Sequence, residues 1–213
     1  VTVEQYRPAE TPDDAFALSR PNDLGHLRAG ARFTLSYAND PLVYETVLGD
    51  SDTESVSIVQ TQIRATVGFS LGLIDRLVVF GGLPIDVYIG DSLGPGRPPI
   101  ARASSGGLGD AYFGARARIL GEEGELLALG AQLTLTVPSG RSGEYRGDSF
   151  LTLHPELLGE LRTRFLRATL NLGLRLRENQ SFGDGVSRVT VGDQATYALG
   201  LAVPVLGRGA LIE

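Results

Sequence analysis

The sequence predicts an all-β, antiparallel up-and-down transmembrane β-barrel, and three observations carry that prediction. Apolar residues recur at every second position over most of the chain from residue 26 onward, which is the period of a two-faced strand and not of a helix. The connections between the alternating runs are short at one end and long at the other. The polar face of the runs is rich in Gly, Thr, Ser and Arg, small groups with a few long cations, as a confined hydrated interior requires.

The alternating runs follow in chain order. In the first, Leu27, Ala29, Ala31, Phe33, Leu35 and Tyr37 alternate with Arg28, Gly30, Arg32, Thr34 and Ser36. The second sets Val59, Thr61, Ile63, Ala65, Val67, Phe69 and Leu71 against Gln60, Gln62, Arg64, Thr66, Gly68 and Ser70. The third, over 77–89, sets Leu77, Val79, Leu83, Ile85 and Val87 against Gly82, Asp86 and Tyr88, with Val78 and Phe80 intruding on the polar side. Phe113, Ala115, Ala117 and Ile119 oppose Asp110, Tyr112, Gly114, Arg116 and Arg118 in the fourth. The fifth has Leu127, Leu129, Leu133 and Leu135 against Gln132, Thr134 and Thr136. The sixth, over 153–161, is the least regular and places His154, Glu156 and Glu160 on the polar side. In the seventh, Leu170, Leu172, Leu174 and Leu176 face away from Arg167, Thr169, Asn171, Gly173, Arg175 and Arg177. Tyr197, Leu199, Leu201 and Val203 alternate with Thr196, Ala198 and Gly200 in the eighth, and a ninth begins at 210–212.

Short connections fall at 74–76, 121–125, 162–164 and 206–209, and long ones at about 39–57, 91–107, 138–150 and 178–194. Outer-membrane barrels pair short periplasmic turns with long extracellular loops, and about ten residues let a tilted strand cross the bilayer. The expected location is therefore the cell outer membrane, with outer-membrane lipids and lipopolysaccharide as its surroundings and other envelope proteins as further partners. Single-chain barrels have even strand numbers. Eight complete strands and the start of a ninth thus predict a fragment of a ten-stranded barrel, with twelve strands as the alternative.

Composition removes several function classes. The chain has 213 residues, a net charge of −6 and a pI near 5.0, which argues against a nucleic-acid binder. No cysteine is present, so disulfides, thiolate metal sites and cysteine nucleophiles are excluded. No apolar run approaches the about 18–20 residues of a membrane-spanning helix. All 19 basic residues are arginine.

The first 25 residues differ from the rest: residues 1–25 hold three prolines, five acidic residues and no sustained alternation. They read as a leader outside the barrel wall, either periplasmic or folded into the lumen as a plug, and residues 26–213 as the barrel.

Several stretches resemble the N-terminal barrel domains of OmpA-like outer-membrane proteins of Gram-negative bacteria: YRPAETPDDAF at 6–16, YANDPLVYE at 37–45, GLIDRLVVFGGLPIDV at 72–87 and GLGDAYFGARARIL at 107–120. The last is also similar to barrels associated with transport of hydrophobic compounds. The resemblance implies a structural or anchoring role, with a pore as the alternative. Any peptidoglycan-binding part would follow this chain, and no residue of such a site carries over.

The candidate functional residues form a lumen charge network. Arg28, Arg32, Arg64, Arg116, Arg118, Arg167, Arg175 and Arg177 share the polar side with Asp86, Asp110, Glu156 and Glu160. Two readings stay open. Paired, these groups lock the lumen, since an unpaired charge in a confined site is costly; unpaired and wet, the excess arginines bias a pore toward anions. A remote third reading is a hydrolase with His154 as base, Glu156 and Glu160 beside it, and Ser149 as nucleophile. No G-x-S-x-G elbow accompanies these residues, so the expectation is not an enzyme. Acidic residues at Asp50, Asp52 and Glu54, and at Asp184 and Asp193, offer oxygen ligands without the spacing of a helix-loop-helix calcium site. They read as solvated loop acids, and neither a metal nor a cofactor is expected.

Overall fold

The structure, a computed structural model, describes residues 6–47, 53–90, 106–122, 124–140, 147, 150–182, 189–206 and 210–212. It is all-β. The strands are β1 (Ala29–Val47), β2 (Thr53–Ile74), β3 (Leu77–Gly90), β4 (Gly107–Leu108), β5 (Ala111–Leu120) and β6 (Leu127–Val137). They continue with β7 (Thr152–Arg162), β8 (Arg167–Arg175), β9 (Gln180–Phe182), β10 (Val189–Val191), β11 (Gln194–Leu206) and β12 (Ala210–Ile212). The predicted runs correspond to β1, β2, β3, β5, β6, β7, β8, β11 and β12 in that order.

Each of these nine strands pairs antiparallel with the next, in the order β1-β2-β3-β5-β6-β7-β8-β11-β12. The tiny β4 adds to β3, and β9 with β10 forms a separate two-stranded ribbon between β8 and β11. The sheet is an open half-barrel, with β1 and β12 at its two edges. Eight strands do not close on one another, so the described sheet matches the predicted fragment of an up-and-down barrel.

The burial of the two faces is inverted relative to a water-soluble domain. Along β1, Phe33, Leu35 and Tyr37 are 69%, 63% and 66% exposed, and on β11 Tyr197 reaches 84%. The opposite face holds the buried groups, Gln62, Arg64, Thr66 and Ser70 on β2, Gln132 and Thr134 on β6, and Thr169 and Asn171 on β8. Alternation therefore works as predicted, with the polar side inside.

Two details depart from simple alternation, and both arise from bulges. Arg64 faces Asp86 while Ile63 faces Tyr88, so Val87 is an extra residue in β3. Beyond it the pattern inverts: Tyr88, expected on the polar side, is 48% exposed, and Ile89 is buried. On the β1–β2 pair, Asn39 faces Thr61 and Leu42 faces Val59, leaving Asp40 and Pro41 opposite Gln60. Asp40 takes a φ of 46°, a left-handed conformation that Asp tolerates better than most residues. Near this irregularity Val59, expected on the apolar outer side, is 1% exposed, and Gln60 is exposed. The same pair also continues as a ribbon through much of the span expected to be loop, since β1 reaches Val47 and β2 begins at Thr53.

Glycines on the polar face make room for aromatic rings. Phe80 faces Gly114 and Tyr112 faces Gly82 across the β3–β5 pair. A β-carbon at Gly114 would lie 2.6 Å from Phe80 Cζ, and one at Gly82 would lie 2.5 Å from Tyr112 Cζ. Each ring is laid across the neighbouring strand, filling the space that the glycine leaves and shielding its backbone. Phe80, an intruder in the sequence pattern, is 2% exposed for this reason.

Candidate functional site

The leader is seated on the polar face of the sheet. It adds no strand to the sheet, and its residues 6–25 carry only turns, bends and irregular backbone. Asp14 organises it: Oδ1 accepts from the Arg20 N–H at 2.8 Å, and Oδ2 accepts from the Thr11 N–H at 2.8 Å. These two bonds fold the segment around one carboxylate, which is then offered to the wall.

Arg116 on β5 receives it. Its guanidinium makes five hydrogen bonds: Nε to Gln132 Oε1 at 2.7 Å, Nη1 to Asp14 Oδ1 at 2.8 Å and to the Arg20 carbonyl at 3.1 Å, and Nη2 to Asp14 Oδ2 at 2.9 Å and Glu10 Oε2 at 3.1 Å. All five N–H donors of an arginine are thereby used. The side chains of Arg116 and Asp14 are fully excluded from solvent. In such a place the paired, fork-shaped geometry is what makes the charges tolerable.

A second anchor runs the other way. Arg20, from the leader, donates through Nε and Nη2 to Glu160 of β7 at 2.6 and 3.0 Å. Glu160 also accepts from Arg162 Nε, and Arg167 Nε lies 3.9 Å away. At the short-turn end, Arg118 Nη2 reaches Asp23 Oδ2 at 2.7 Å. Arg32 on β1 donates to the leader carbonyls of Ala9 and Phe16.

The wall is also shaped for the leader. A β-carbon at Gly30 would sit 2.8 Å from Pro12 Cδ, and one at Gly130 would sit 3.0 Å from Pro21 Cβ. At Gly200 it would run into Leu18, and at Gly72 into the carbonyl of Gly25. Four wall glycines on β1, β2, β6 and β11 thus lie beneath the segment, each where a side chain would displace it.

The sequence-derived network is brought together in part. Arg64 and Asp86 form a two-pronged pair at 2.8 and 3.0 Å, with Gln62 Nε2 donating to the same Asp86 Oδ1 at 2.8 Å. Gln132 connects Arg116 to Glu156 by donating to Glu156 Oε2 at 3.0 Å. Asp110 is buried and accepts from the Gly140 N–H at 2.8 Å. Arg177 lies at the loop end, donating to the Gly192 carbonyl at 3.0 Å. Arg28 lines a polar cavity of about 470 Å³ at the turn end, together with Arg20, Arg118 and Arg162. Arg175 lines a second cavity of about 250 Å³ between the leader and β7, β8 and β11.

Pairs therefore run along one strand, between neighbouring strands or from wall to leader. Glu10, Asp14, Asp23 and Arg20 were outside the predicted network, and they supply partners to Arg116, Arg118 and Glu160. Their acidity was visible in the composition of the leader; the more than ninety residues of chain separating them from β5 left no local signal of pairing.

His154 meets Thr196 across β8. Its Nε2 lies 2.9 Å from Thr196 Oγ1 and its Nδ1 lies 3.5 Å from Glu156 Oε2. The contact spans a strand because Gly173 stands between them: a β-carbon there would lie 2.7 Å from Thr196 Oγ1 and 2.8 Å from His154 Nε2. Ser149 lies outside the described residues, as do Asp50, Asp52 and Asp184. The carboxylate of Asp193 accepts the Arg177 N–H at 2.9 Å. Among the described residues no group of three or more His, Asp or Glu is arranged to hold a metal ion.

Comparison of the sequence with family models and with curated proteins, and of the structure with solved structures, gives no match.

Proposed function

We propose that the chain is part of the wall of an OmpA-like outer-membrane β-barrel, and that its role is structural, occupying and anchoring the outer membrane. The observation that carries this reading is the inverted burial of the sheet. Burying a Leu or Phe side chain is worth about 1.5–3 kcal/mol, so a domain surrounded by water gains by turning such residues inward. Here Phe33, Phe69, Phe113, Leu172, Tyr197 and Leu199 are exposed while arginines and carboxylates are enclosed. Hydrocarbon is the surrounding in which that arrangement is stable. Backbone groups there require a continuous ladder, and the neighbour-to-neighbour pairing from β1 to β12 supplies one. The short turns are then periplasmic and the long loops extracellular.

A closed rather than conducting interior is supported by the ion pairs, since Arg116, Arg64 and Glu160 are buried in them. The test is cell fractionation combined with heat-modifiable migration in gels, followed by single-channel recording. The structural reading expects an outer-membrane protein that migrates faster unheated than boiled and adds little conductance. Migration that is indifferent to heating, in a protein recovered from soluble fractions, would sink it.

A transport pore is the second reading, favoured by cavities of about 250, 350 and 470 Å³ that flank the leader. Steady large conductance of the unaltered protein would select it. Catalysis is not part of the proposal: His154→Ala is expected to leave lipid and peptide hydrolysis by the purified protein at background, as in the parent.

A further inference from the structure

We infer that the leader, residues 6–25, is a removable plug, and that its release opens an arginine-lined passage for small anions. This rests on the outer-membrane reading above and goes beyond it.

The seat and the fastening differ in kind. The seat is built into the wall, by the glycines at positions 30, 72, 130 and 200 where any side chain would collide with the leader. The fastening is made of side chains. Arg116 holds Asp14 and Glu10, Glu160 holds Arg20, and Asp23 meets Arg118. No leader residue from 6 to 25 joins the strand ladder. Its bulkiest apolar group, Phe16, is 69% exposed, while Ala9, Pro21 and Leu24 are buried. A segment held by side-chain contacts, without strand pairing, loses its hold once a buried ion pair is deprived of one partner.

Charge decides what would pass. The leader takes four acids, Glu10, Asp13, Asp14 and Asp23, and two arginines, Arg7 and Arg20, with it when it leaves. Behind it remain Arg32, Arg116 and Arg118, which lose the leader's groups and keep neutral partners such as Gln132 for Arg116 and the Asp75 carbonyl for Arg118, while Asp86 stays neutralised by Arg64. A passage with surplus guanidinium groups attracts inorganic anions and small carboxylates or phosphates and repels cations. Three wall arginines that line the turn-end cavity, Arg28, Arg118 and Arg162, stay behind with the same sign of charge, while Asp13, Arg20 and Asp23 of that cavity leave with the plug.

The experiment uses the full-length protein in planar bilayers with a potassium chloride gradient. Glu10→Gln combined with Asp14→Asn removes the carboxylates that Arg116 grips. This variant is expected to raise mean conductance at least ~tenfold, with a reversal potential on the chloride side. The native chain has no cysteine, so a pair of introduced ones can pin the leader. A β-carbon at Gly130 would lie 3.0 Å from that of Pro21, slightly inside the about 3.5–4.5 Å of a disulfide. Adding Pro21→Cys and Gly130→Cys to the double variant should silence it when oxidised, and dithiothreitol should restore the current; each single cysteine should do neither. Chymotrypsin cleavage after Phe16 should rise in the double variant and fall in the oxidised one.

Insertion separates the two levels of the argument. If the parent does not enter bilayers or show heat-modifiable migration, the membrane reading and the plug fall together. If the variants insert and remain silent, conduct irrespective of the disulfide, or prefer cations, the plug alone is overturned.

Discussion

A single guanidinium concentrates the energetics of this molecule. Arg116 was recognisable in the sequence as a polar-face residue of the fourth run, because Phe113, Ala115 and Ala117 alternate around it. Its partners were not, since Asp14 and Glu10 are 102 and 106 residues away and alternation carries no information about what lies over a face. The consequence is measurable. Arg116→Leu leaves two carboxylates enclosed beside a dry face, and breaking a buried pair in this way costs about 3–5 kcal/mol. Urea unfolding of vesicle-inserted protein should show that loss, together with increased proteolysis of the leader. The pair of Arg76 and Glu122 offers the contrast. Their charged groups are 3.8 Å apart with side chains 63% and 70% exposed. Arg76→Gln is expected to change stability by about 0–1 kcal/mol, the range of surface pairs, and less as salt is raised.

At the level of the strand, period-two patterning was enough to place all nine wall strands in order, because one face had to be apolar throughout. What it could not place were the bulges. Tyr88 and Val59 were assigned to the wrong side where the register shifts, at Val87 in β3 and at the Asp40–Pro41 and Ile58 steps of the β1–β2 pair, and none of these steps changes the composition of the run. The aromatic–glycine pairs were equally silent: Phe80 looked like a flaw in the third run, and only the pairing of β3 with β5 reveals Gly114 opposite it. That pairing makes a prediction about packing. At Gly114 a β-carbon would collide with the Leu133 carbonyl and the Phe80 ring, so Gly114→Val must push the ring or the strand aside. Overpacking of this kind costs about 1–3 kcal/mol. Combining it with Phe80→Ala should recover part of the loss of ring clearance, and a double-mutant cycle in urea measures the coupling. Independent, additive effects would show that the ring does not lie over the glycine.

For the whole molecule, the decisive question is which medium surrounds the apolar face, and one substitution poses it directly. Leu199 lies near the middle of β11, on the outer side between Tyr197 and Leu201, and is 68% exposed. It faces Leu170 of β8, itself outward and 42% exposed, so the site is part of a continuous apolar surface. If water were the surrounding medium, Leu199→Arg would place a cation on an already exposed position, and surface changes of that sort stay within about 0.5 kcal/mol. If the medium is hydrocarbon, the same change puts an arginine near the bilayer midplane and costs about 2–4 kcal/mol. The inward neighbour Ala198 serves as the paired control, because it lines the cavity beneath the leader and an added hydroxyl there lies among Thr196, Asn171 and Arg175. We therefore expect Leu199→Arg to lower the stability of the folded, heat-modifiable form by more than 2 kcal/mol and Ala198→Ser to change it by less than about 1 kcal/mol. The difference between the two faces depends only on what lies outside the sheet. A neutral Leu199→Arg in lipid vesicles would leave the inverted burial unexplained by a membrane and would remove the main support for the barrel-wall reading.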